Sequence, residues 1–245
     1  MGKLLGKWFK VYEGEAGLFL WTVLLRILLL SGIIIITNYA DTAFLARYGV
    51  EKLPLMYFIN PFAGIIAMAV LTGLMVKMPG ARLLSYMFLF FGVITAIIRF
   101  LIPTGMDLLY PILWIIKAQA EAITGLLFLN LANDLFNIRQ SKRLFSLIYA
   151  GGYAGYILFS FGMPFISNII GFDNLLLVYV AISILAALVV KRMGAIFPTL
   201  LVSEKKSGKP KKKKKGMKDQ VKAAMPLIRS SLLIKILVIL FILPT

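Results

Sequence analysis

Six stretches of this chain run for about twenty residues with at most one or two charged side chains, a pattern stable only where lipid is the solvent. Residues 53–76 and 144–172 carry no charge at all. Hydrocarbon offers backbone N–H and C=O groups no water, so each such stretch must satisfy its hydrogen bonds internally, as a helix does. At 1.5 Å per residue, about 20 residues cross about 30 Å of hydrocarbon. The runs place helices near 17–38, 55–76, 83–102, 108–132, 145–168 and 173–190. The expected fold class is therefore an all-α membrane protein, a six-helix transmembrane bundle in contact with the lipid bilayer. Composition agrees: 60% of residues are hydrophobic and 15% charged, whereas soluble domains are about 45–50% apolar with about a quarter charged.

Charge is distributed unevenly about these runs. Lys3, Lys7, Lys10, Lys77, Arg82, Arg139, Lys142, Arg143, Lys191 and Arg192 fall on one side, and Arg47, Lys52 and Arg99 on the other. Lysine and arginine in short loops mark the cytoplasmic side. The expectation is an integral protein of the plasma or inner membrane with a cytoplasmic N-terminus. Residues 1–16 combine lysines with Leu4, Leu5, Trp8 and Phe9, which reads as an amphipathic segment on the membrane surface. The six-helix bundle then occupies residues 17–192.

Much of the net charge of +17 lies in the stretch SEKKSGKPKKKKKGMKDQVK, within a polar region spanning 193–230. This composition cannot bury a core and is expected to form a lysine-rich cytoplasmic loop. It serves either as an ordinary topology signal or as an attractant for anionic lipids. No folded basic face or aromatic platform accompanies it, so nucleic acid is not an expected partner. The final run, 231–245, is apolar and roughly 22 Å long as helix, which reads as the start of a seventh transmembrane helix. Six helices, a long basic loop and a further helix are the layout of one half of a twelve-helix transporter.

The chain has no cysteine and no histidine. Disulfides, the usual zinc sites and histidine acid–base chemistry are excluded. With no nucleophile–base or metal constellation, no catalytic residue, metal or cofactor is expected, and an enzyme is disfavoured.

Two charges interrupt the fourth run, ILWIIKAQAEAITGLLFLN. Lys117 and Glu121 are four apart and share a helical face, so they are expected to pair. Trp114, Thr124 and Phe128 continue the stripe, which should face the bundle interior or a water-filled cavity. Arg26 in the first run is expected at similar depth. Arg26, Lys117 and Glu121 together read either as a midplane binding site for an anion or as an ion-pair network joining helices one and four. In AGGYAGYILFSFG, small residues recur four apart, Ala150 with Ala154 and Gly151 with Gly155. They allow close helix packing, or a surface that slides or hinges. In NDLFNIRQSKR, Asp134 has Arg139 and Lys142 within pairing reach, either as a gate latch or as a plain topology signal.

The stretches LANDLFNIRQSKRLFSLIYAGGYAGYILFS, 131–160, and NYADTAFLARYGVEKLPLMYF, 38–58, carry a resemblance. They are similar to the loop between helices four and five, and to the end of helix one with its following loop, in the ATP/ADP-translocase (nucleotide transporter) family of the major facilitator superfamily. The resemblance implies half of a facilitator-type fold, with a basic residue in helix one, matched by Arg26, and an acid in helix four. Counting back from Ala132-Asn133-Asp134 puts Lys117 at the acid's position, with Glu121 one turn further along. The resemblance implies a secondary transporter for an anionic solute, of which nucleotide is one case, working by alternating access with a second bundle or partner chain. The other reading is a non-transporting facilitator-like module that anchors or joins a larger complex.

Overall fold

The computed structural model describes residues 11, 12 and 14–197, and the amphipathic segment up to residue 10, most of the lysine-rich region and the 231–245 run lie outside these residues. Six helices follow one another: α1 Ala16–Tyr48, α2 Leu53–Lys77, α3 Gly80–Leu101, α4 Leu109–Leu135, α5 Ile138–Ile170 and α6 Leu175–Ile196. All six are long and apolar enough to cross a membrane, so the chain is an all-α integral membrane protein.

Two helices outrun the apolar segments that mark them. α1 continues from 38 to Tyr48, and α5 begins at Ile138 rather than 145. Each has 33 residues, roughly 50 Å of helix, so their polar ends reach beyond about 30 Å of hydrocarbon. The basic stretch before α5 is thus helix rather than loop. Its start is fixed by a capping box, in which Asn137 accepts from the Gln140 backbone and the Gln140 side chain accepts from the Asn137 N–H. The connection between α4 and α5 shrinks to Phe136 and Asn137. Gly49 and Gly171 end α1 and α5 with φ of 69° and 87°, where a side chain would be strained.

α1 is the hub. It packs against α4, α5 and α6, while α3 packs on α6 and α4. α2 leans mainly on α4 and buries only Met56 and Leu71. The mutual approach of α1 and α5 depends on missing side chains. A Cβ at Gly151 would lie 2.8 Å from Val23 Cγ1, at Gly152 2.5 Å from Arg26 Cγ, and at Gly155 2.7 Å from Ile27 Cγ2. The packing face is therefore Gly151–Gly152–Gly155, and Ala150 and Ala154 point away, exposed. A similar contact joins α1 to α6, where Gly32 lies under Tyr179 and Ile182.

Polar ties reinforce the ends. Arg99 of α3 donates to Asn174 Oδ1 at 2.6 and 3.1 Å, and Tyr39 donates to Asp173 at 2.8 Å while stacking on Phe172.

Gly152→Leu should lower the melting temperature of the purified protein and cost about 1–3 kcal/mol, because overpacking pushes α5 off α1. Gly125→Ala, whose Cβ would meet nothing within 4 Å, should leave melting unchanged. Equal curves for both variants would contradict the α1–α5 crossing.

Candidate functional site

The α4 stripe splits into buried and open parts. Trp114, Lys117, Thr124 and Phe128 are buried, whereas Glu121 in their midst is exposed. Trp114 sits edge-on to Tyr57 of α2, with ring centroids 5.4 Å apart, and 6.3 Å from Phe44 of α1. Thr124 donates back to the Ala120 carbonyl at 2.6 Å, which satisfies its hydroxyl within α4.

Lys117 does not pair with Glu121. Its Nζ makes an ion pair with Asp41 of α1 and lies 4.9 Å from the centre of the Trp114 ring. The reason is the length of α1. Because the helix runs on past residue 38, it carries Asp41 into the membrane-spanning bundle opposite Lys117. The pair is asymmetric in solvation, with the lysine side chain 10% exposed and the aspartate 40%. Glu121 has no hydrogen-bond or ion-pair partner among the described residues.

Arg26 is also placed differently from expectation. It stands 15 residues before Asp41 on α1, roughly 22 Å along the axis, so it does not share a level with Lys117. Its surroundings are aromatic. The guanidinium carbon is 4.4 Å from the centre of the Tyr149 ring on α5 and 5.0 Å from that of Phe128 on α4. The residue is 8% exposed, and its Nε is buried without a hydrogen-bond partner. No carboxylate among the described residues pairs with it. Ring faces stabilise a guanidinium by about 0.5–2 kcal/mol each and leave its N–H groups free to donate. The guanidinium therefore keeps donors that no described residue accepts from.

The other candidate residues lie at the end of the bundle where α1 begins. Asp134, Arg139 and Lys142 are exposed around the α4–α5 turn. The conspicuous ion pair there is Arg143 with Glu15, just ahead of α1; Gln140 also donates to Glu15 at 2.9 Å, and the Tyr12 ring lies 4.2 Å from the guanidinium. This cluster ties the start of α5 to the start of α1. Gly151 and Gly155 sit on the α1–α5 crossing, with Gly152 between them placed directly on the stem of Arg26.

Asp41, Tyr149 and Gly152 were not singled out from sequence. A carboxylate three residues past the expected end of α1 signals a longer helix only once its partner is known. Tyr149 is one of many aromatics at helical spacing. Gly152 was hidden by the four-residue pattern around it.

Comparison of the chain with protein-family models, with curated proteins and with solved structures gives no match.

Asp41→Asn and Lys117→Met should each destabilise the protein by about 1–3 kcal/mol. That is below the value for a fully buried pair, because the aspartate keeps some solvent. The double variant should melt close to the parent, and Glu121→Gln alone should shift melting little. Thermal unfolding of the four proteins checks this; additive losses in the double variant would contradict the pairing.

Proposed function

We propose that this bundle is one half of a secondary transporter that moves an anionic solute by alternating access against a second bundle. Arg26 carries the reading: a buried cation with no carboxylate partner among the described residues, flanked by Phe128 and Tyr149, is suited to receive a negative charge. Its position supports the idea too, since three helices meet there and a change in their packing would alter access to the guanidinium. Lys117 is committed to Asp41 and serves the site by holding α1 to α4. The sequence resemblance would make the solute a nucleotide; Arg26 by itself asks only for an anion.

The same proposal places the protein in a plasma or inner membrane with its N-terminus and lysine-rich region in the cytoplasm, where that region would attract anionic lipids. The second reading, a non-transporting anchor or subunit, draws on the Asp41–Lys117 pair, an internal charge that structural needs alone account for.

Purified protein should melt at higher temperature in the presence of its anion, since a ligand at 100 times its Kd stabilises the folded state by about 2.7 kcal/mol. With ATP, pyrophosphate and citrate as probes, at least one should give this shift. Arg26→Gln should abolish it and Arg26→Lys should keep a weakened form. A panel with no shift, or a shift indifferent to Arg26→Gln, would favour the anchor reading. Orientation has its own check in this cysteine-free chain. An impermeant maleimide should label Met106→Cys but not Lys142→Cys in intact cells, and the reverse result would overturn the topology.

A further inference from the structure

Glu121 occupies the middle of α4, the thirteenth of its 27 residues, and is exposed. It has no hydrogen-bond or ion-pair partner among the described residues. Where lipid meets the bundle at that depth, its tails offer a carboxylate neither water nor a donor, so an exposed glutamate there calls for a neighbour that supplies one. The other mid-span charges are covered, Arg26 by aromatic rings and Lys117 by Asp41. Glu121 is covered by nothing described.

We infer that Glu121 marks the docking site of a transmembrane helix from a partner protein, one that carries a lysine or arginine at mid-membrane depth. Charge complementarity selects this occupant. A second copy of the chain fits less well, because the exposed basic residues described here all lie at helix ends: Arg47, Lys77, Arg82, Arg139, Lys142 and Arg192 are examples. Seated symmetrically through the described helices, a copy would bring a second carboxylate rather than a cation. The surroundings of Glu121 admit a close neighbour. Ala122 is exposed beside it, and one turn on, a Cβ at Gly125 would meet nothing within 4 Å, so a partner backbone could approach until its basic side chain reached the carboxylate. This inference does not rest on transport, since an anchoring module would recognise a partner in the same way.

The test uses the full chain in phosphatidylcholine vesicles, with a fluorescent donor on Met106→Cys in the turn before α4. Three acceptor-labelled Leu/Ala transmembrane peptides serve as probes. One has a single lysine at its midpoint, one has leucine there, and one has the lysine moved two turns towards an end. The midpoint-lysine peptide should bind roughly tenfold more tightly than the leucine peptide, a difference in keeping with polar contacts between membrane helices. Glu121→Gln, checked for an unchanged melting curve, should remove that preference. Equal binding of all three peptides, or a lysine preference that survives Glu121→Gln, would overturn the proposal. So would Glu121-dependent energy transfer between two labelled copies of the chain that the lysine peptide does not reduce, which would identify a second copy as the occupant.

Discussion

The crossing of α5 over α1 at Gly151, Gly152 and Gly155 is the contact on which the candidate site depends. Three side chains are absent on α5, and Val23, Arg26 and Ile27 of α1 fill the space. The stem of Arg26 lies on Gly152, and the same contact brings Tyr149 over the guanidinium. A larger residue at 152 would move α5 outward and take the ring with it. Because apolar side chains gain little by leaving lipid for another helix, this close packing carries much of the association.

The bundle handles charge within the membrane in three ways. Lys117 meets an opposite charge from the neighbouring helix, and the Trp114 ring shields it further. Among the described residues the Arg26 guanidinium meets ring faces and no hydrogen-bond acceptor, so its donors stay uncommitted. Glu121 has no hydrogen-bond or ion-pair partner among the described residues and is exposed. These differences follow from what α1 presents at each level. Its long extension supplies Asp41 opposite Lys117, and the level of Glu121 receives no comparable partner. A structural role therefore suits Lys117, while the proposed anion site rests on the uncommitted donors of Arg26 and the proposed docking site on the exposure of Glu121.

The six helices were legible in the sequence because lipid imposes a simple requirement, about twenty apolar residues per crossing. The glycine face of α5 was legible only in part: four-residue spacing marks Gly151 and Gly155, but it marks the exposed Ala150 and Ala154 equally and passes over Gly152. The partner of Lys117 was not. Spacing on one helix made Glu121 the natural choice, and reading the true partner required knowing that α1 continues as helix through Asp41. Arg26 is visible in the sequence as a charge inside an apolar run, but its depth relative to Lys117 depends on how far each helix protrudes, which hydropathy does not encode. The start of α5 shows the same limit. IRQSKR is polar enough to read as loop, yet Asn137 and Gln140 cap it into a helix.

The central claim is that α5 lies against α1 closely enough to fix Arg26 beneath Tyr149. The Cβ position at Gly151 is 3.9 Å from Val23 Cβ, within the span a disulfide bridges. The chain has no other cysteine to interfere. A double variant, Val23→Cys with Gly151→Cys, oxidised in membranes, should lose both reactive thiols to an intramolecular cross-link, read as a two-hydrogen mass loss in the monomer. Two freely alkylated thiols in a folded monomer would place α5 away from α1 and remove the basis of the site.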